Sequence, residues 1–189
     1  MASNNICFYQ STYAKYQARV ALRQAPSGNY LGICLSKDIF CESTQEIKQM
    51  EKSVFVYADA MLALGCKLKE ISDSIDEAVI KFQANKENLG DKFQTLYQNI
   101  FHERSKTQYR VEMVAKGTLP PLFGVAQFYV PDGGLDWAPS KFSVFMPKYM
   151  WNRFYQTLPE IISALSDVMK AGMGARSFCL LLFIVTFFF

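Results

Sequence analysis

Arg19, Arg23, Tyr30 and Lys37 in one stretch of the chain, and Arg110, Lys116, Phe128 and Lys141 in another, interleave cations with aromatic rings. Cations neutralise phosphates and rings offer faces on which unpaired bases stack, which is how single-stranded DNA or RNA is held without sequence readout. Stacking contributes about 1–3 kcal/mol per base, so a few rings outweigh a modest charge. The formal net charge is +3 and the isoelectric point is near 8.5, a balance that permits a polyanionic partner without requiring one. The bland alternative is an ordinary antiparallel sheet with solvated cations and rings that belong to the core.

No catalytic constellation accompanies these residues. The single histidine, His102, stands beside Glu103 and Arg104 and reads as a solvated linker residue, so a Ser or Cys nucleophile has no evident base. Cys7, Cys34, Cys41, Cys66 and Cys179 form no C-x-x-C pair, and no zinc-ligand spacing can be assembled from them. Phosphate-loop and dinucleotide-loop patterns are absent, and Asp132-Gly133-Gly134 reads as a turn. Asp73, Asp76 and Glu77 read as the solvated side of a helix. The expectation is a non-catalytic protein without cofactor or metal. An odd cysteine count and no apolar leader point to an intracellular setting, and a nucleic-acid partner to the nucleus.

The elements that must position the cations and rings are strands. Ala18, Val20 and Leu22 alternate with Gln17, Arg19 and Arg23, the period of a half-buried strand whose basic side faces solvent or a ligand. Turn chemistry at Pro26-Ser27-Gly28-Asn29 leads into Tyr30 to Leu35, so the two segments should pair as a hairpin. Ser43-Thr44-Gln45-Glu46 has capping-box spacing and predicts a short helix, followed by a strand from Ser53 to Tyr57. Met61, Leu64, Leu68, Ile71 and Ile75 recur with the helical period, as do Trp151, Phe154, Leu158, Ile161 and Leu165. Pro159 should kink the second of these helices. Phe93, Leu96, Tyr97, Ile100 and Phe101 also show spacings of three and four and predict a linker helix.

One block of the chain recurs. Ser53-Val54-Phe55-Val56 matches Ser143-Val144-Phe145-Met146, Lys15 to Val20 matches Lys106 to Val111, and Tyr30-Leu31-Gly32-Ile33 matches Leu122-Phe123-Gly124-Val125. Conserved order with length changes confined to spacers is the mark of a duplicated supersecondary unit. The chain therefore divides into a first repeat over 1–84, a linker helix over 85–104, a second repeat over 105–170 and an apolar tail over 171–189. The fold expected is α+β, two β-β-β(-β)-α repeats packed through their helices as an intramolecular pseudo-dimer with curved antiparallel sheets. The run FCLLLFIVTFFF from Phe178 to Phe189 is shorter than the roughly 20 residues of a helical membrane span. It reads as unselected, intron-like sequence or as a partial membrane-associating tail.

The strand and helix around Lys141 to Phe154, with Trp151 and Phe154 three residues apart, and the strand Tyr30-Leu31-Gly32-Ile33, resemble the repeat of the purine-rich-element-binding (Pur) family. Trp151 to Leu165, with Leu158-Pro159-Glu160-Ile161, is similar to the helix of the transcriptional positive cofactor four family, in the Whirly-like fold group. The resemblance implies single strands held on a curved sheet, transcription regulation or nucleic-acid maintenance, and dimers or paired repeats. A homodimer through the helices is a further expected partner. The second function considered is a protein-interaction or dimerisation module of the same fold without nucleic-acid binding, and a third, a membrane-tethered adaptor, depends on the tail alone.

Overall fold

The computed structural model describes residues 5–13, 16–26, 28–41 and 46–171, so the tail and the start of the expected capping-box helix lie outside the described residues. The protein is α+β. Strands β1 (Asn5–Tyr13), β2 (Tyr16–Ala25), β3 (Gly28–Cys41) and β4 (Glu46–Tyr57) form one antiparallel sheet in sequential order, and helix α1 (Ala58–Asn85) follows. Strands β5 (Gln94–Arg104), β6 (Thr107–Ala115), β7 (Leu122–Tyr129) and β8 (Ala138–Pro147) form the second sheet in the same order, and helix α2 (Lys148–Lys170) follows.

The linker helix is not formed: β5 occupies its place. Its pairing with β6 slips by one residue at Leu96 and again at Phe101, and each extra residue resets the inward-outward alternation. Two bulges five residues apart give a strand apolar positions at helix-like spacing, which is why its period misleads. Glu46 likewise begins a strand and not a helical turn. Through Pro159, α2 runs as one helix.

Each helix packs on the sheet of the other half as well as on its own. α1 lies against β5, where Lys67 Nζ donates to the Ile100 carbonyl at 2.9 Å and Asn99 Nδ2 to Glu70 Oε1 at 3.2 Å. α2 lies against β1 and β2. The helices meet where Gly65 leaves room for Ile162, and Lys148 Nζ donates to Asp76 Oδ1 at 2.6 Å. One continuous apolar core results, with Val20, Ile33, Val54, Val56, Met61 and Leu64 from one half and Val111, Phe123, Val125, Val144, Trp151 and Phe154 from the other.

The sheets abut along their β4 and β8 edges. Tyr109 OH, on β6, donates to the Phe55 carbonyl of β4 at 3.0 Å, and Tyr16 OH, on β2, donates to the Phe145 carbonyl of β8 at 3.3 Å. An edge-strand carbonyl closed over by protein needs such a donor. Both fourth strands also bulge. Residues 49–51 of β4 fall opposite residue 38 alone, and residues 140–142 of β8 opposite residue 127 alone.

Candidate functional site

Directly opposite residues of antiparallel strands share a face. Val20, Leu22, Ile33, Leu35, Val54 and Val56 fill the core face of the first sheet, which leaves Arg19, Ala21 and Arg23 of β2, Tyr30, Gly32 and Cys34 of β3, and Phe55 and Tyr57 of β4 on the other. There the rings form a chain: Tyr30 to Tyr57 at 5.5 Å between centroids, and Phe55 to Tyr57 at 5.7 Å and nearly perpendicular. The Arg23 guanidinium sits 5.9 Å from the Phe55 centroid. Gly32 makes this floor, because a β-carbon there would collide with the Val56 carbonyl and with the Phe55 ring that lies across it. Gly124 does the same for Phe145 in the second sheet. Of the outer-face residues named here, from Arg19 to Tyr57, none is acidic.

The chain of rings runs on into the junction of the two sheets. Tyr109 lies 6.3 Å from Tyr57, edge to face, and is stacked on Phe101 at 6.0 Å. Tyr30, Tyr57, Tyr109 and the β5–β6 turn Arg104-Ser105-Lys106-Thr107 line an open cleft of about 320 Å³. Ser105 holds a φ of +50°, a left-handed conformation that a side chain rarely takes and that fixes this tight turn. The cleft's cations have acidic neighbours: Asp59 Oδ2 is 3.8 Å from Arg104 and 3.5 Å from His102 Nε2, and Asp132 is 2.9 Å from Lys106. Burial, reinforced by Tyr57, raises the Tyr109 hydroxyl pKa, so it stays a protonated donor to Phe55. His102 is no solvated linker residue: it lies on β5 with a side chain 19 % exposed.

The second sheet presents a different outer face. The Arg110 guanidinium sits over the Phe128 ring, 3.7 Å from its centroid, and is held by Gln108 and Gln98, and Gln108 in turn donates to Glu103 at 2.7 Å. Phe128 is buried beneath that cation. Arg110 and Phe128 therefore satisfy each other. Beside them Glu112 is only 7 % exposed, and burial raises its carboxyl pKa while Arg110 pulls it down by less.

A carboxyl whose pKa rises on folding contributes stability that is complete below its unfolded value and is lost as pH rises through the folded one. Glu112→Gln should therefore melt at a higher temperature than the parent near pH 7, with the difference closing as pH falls to about 4, where a carboxyl of ordinary pKa protonates. Thermal melts across that pH range check this, and a constant difference would point to lost contacts in place of titration.

Of the residues expected to bind, Arg19, Arg23 and Tyr30 share one face. Lys37 projects from the opposite face of the same sheet, 6.0 Å from the Tyr16 ring, because it stands opposite Tyr16 in the register. Lys116 occupies the connection after β6, half-buried, and Lys141 projects from the β8 bulge. Sequence reasoning missed Phe55, Tyr57 and Tyr109. Phe55 had a signal in the matched segment Ser143 to Met146, whereas Tyr57 joins the site through strand register and Tyr109 only through the junction. Among the described residues, no group of three His, Cys, Asp or Glu side chains is placed to hold a metal ion. No helix among them is long and apolar enough to cross a membrane. No protein-family model matches the chain, and no curated protein matches it in sequence.

Proposed function

We propose that the protein is a non-catalytic single-stranded DNA- or RNA-binding protein, and that the strand lies on the outer face of the first sheet, entering the tyrosine cleft. The observation that carries this reading is the run of Phe55, Tyr57 and Tyr30 rings beside Arg19 and Arg23 on one face, continued at the sheet junction by the buried Tyr109. Rings beside cations give sequence-tolerant affinity for bases and phosphates. The outer face of the second sheet does not share the role, since Arg110 and Phe128 are taken up with each other and Glu112 repels phosphate. Nuclear regulation of transcription, or nucleic-acid maintenance, is the setting we assign to such a binder.

In this reading the two β-β-β-β-α halves are copies of one unit joined as an intramolecular pseudo-dimer, as in the Pur-type arrangement the sequence resembles. The exchanged helices, the reciprocal Tyr109–Phe55 and Tyr16–Phe145 hydrogen bonds, the Gly32/Phe55 and Gly124/Phe145 pairs and the two three-residue bulges support it. The β3–β4 and β7–β8 registers depart from strict equivalence by two residues: Gly32 pairs with Tyr57, but Gly124 with Phe145. An even slip keeps every side chain on its face.

Labelled single-stranded and duplex oligonucleotides titrated at several salt concentrations test the function. Tighter single-strand binding that weakens as salt rises is expected, because phosphate contacts release counterions. Arg23→Ala should weaken binding to all sequences and flatten the salt slope by about one counterion, whereas Arg110→Ala should leave affinity near the parent's. Equal affinity for duplex, or no binding at low salt, would leave the protein-interaction module as the better reading.

A further inference from the structure

A second cleft adjoins the tyrosine cleft on the same face of the second sheet. Thr107, which lines the first cleft, stands directly opposite Tyr129 on β7, and Tyr129 lines the second together with Gln127, Pro139, Ser140, Lys141 and Phe142. Neighbouring strands lie about 4.8 Å apart, so these two lining residues are one strand spacing from each other. The second opening measures about 450 Å³. Its rings are unusually open for their size: Tyr129 is 43 % and Phe142 38 % exposed.

The β8 bulge makes this cleft. Ser140, Lys141 and Phe142 stand against Gln127 alone, so three residues must loop away from the ladder. Ser140 Oγ locks the loop by accepting from the Phe142 amide at 3.0 Å. Lys141 is thereby thrown outward, with its ammonium 5.5 Å from the Phe142 centroid. Of the two acids on the connection from β7, Asp132 and Asp136, the first is occupied by Lys106 at 2.9 Å. An exposed pair of rings with one cation at their rim matches what a nucleotide presents, a flat base and a phosphate.

We infer that this opening is a second nucleotide subsite, continuous with the tyrosine cleft across the β5–β6 turn, in which a base lies against Tyr129 and Phe142 and its phosphate meets Lys141. The inference rests on the single-strand-binding reading and extends it: the strand leaves the first sheet, passes the Arg104–Thr107 turn and ends on the second sheet. Only a strand long enough to span both clefts reaches Lys141.

An oligothymidylate ladder of about 3 to 12 nucleotides, titrated against the full chain, tests this, since single-strand sites commonly span about 4–16 nucleotides. The parent's affinity should rise with length beyond the first cleft's reach. Tyr129→Ala and Lys141→Ala should each lower affinity for the longest strands by roughly five- to tenfold while leaving the shortest unchanged, and Lys141→Arg should restore it. Both positions are exposed, and circular dichroism melts of the variants should match the parent. Equal losses at every length, or none, overturn the second subsite while binding on the first sheet stands. Binding at no length overturns both.

Discussion

Trp151→Ala should destabilise the protein by about 3–5 kcal/mol, the usual range for truncating a large aromatic in a core. Trp151 is 5 % exposed in the first turns of α2, with its ring 6.5 Å from Phe123 of β7 and 5.6 Å from Phe154. The cavity left behind has little room to collapse, because Phe123 and Phe154 are themselves fully buried and fixed by the sheet and the helix. In a domain of this size each kcal/mol corresponds to roughly 2–4 °C in melting temperature, so the loss should be plain in a thermal melt. Met61 and Leu64, at the corresponding turn of α1, are also buried, and Leu64→Ala should cost about 2–5 kcal/mol by the same mechanism. A Trp151→Ala protein of parental stability that no longer bound oligonucleotide would mean that the indole is a stacking platform and not a core residue.

Gly32→Ala and Gly124→Ala are each expected to cost about 1–3 kcal/mol, the range for forcing extra atoms into a packed site. The added methyl would meet the backbone oxygens of Val56 and Val144 respectively, and backbone yields less readily than the end of a long side chain. The Phe55 and Phe145 rings lying over the glycines would have to lift as well. Their consequences for binding should part. Gly32→Ala disturbs the ring floor beside Arg23 and Tyr57 and should weaken single-strand binding at temperatures where the protein is still folded. Gly124→Ala disturbs only the second sheet's outer face and should not. Denaturant melts and titrations on the same samples separate the two effects, and equal losses of binding would place the ligand on the outer faces of both sheets.

The sequence by itself determined the elements whose periodicity is local. The stripes Met61 to Ile75 and Trp151 to Leu165 became α1 and α2 with those residues turned inward, since a helix face is written every three to four residues. The alternation from Gln17 to Arg23 became β2, with Arg19 and Arg23 on the non-core face as read. Where bulges broke the alternation, as at Leu96 and Phe101, the same rule failed and a strand read as a helix. The tertiary structure alone decided which cations and rings meet. Lys37 and Arg19 share a sheet but not a face, a matter of strand register. Arg110 is matched to Arg19 by sequence, yet it is covered by its own Phe128 and glutamines, neighbours that only strand pairing supplies. Tyr109 reaches Tyr57 because two sheets abut along their edges, a contact between residues 52 positions apart that no local pattern encodes.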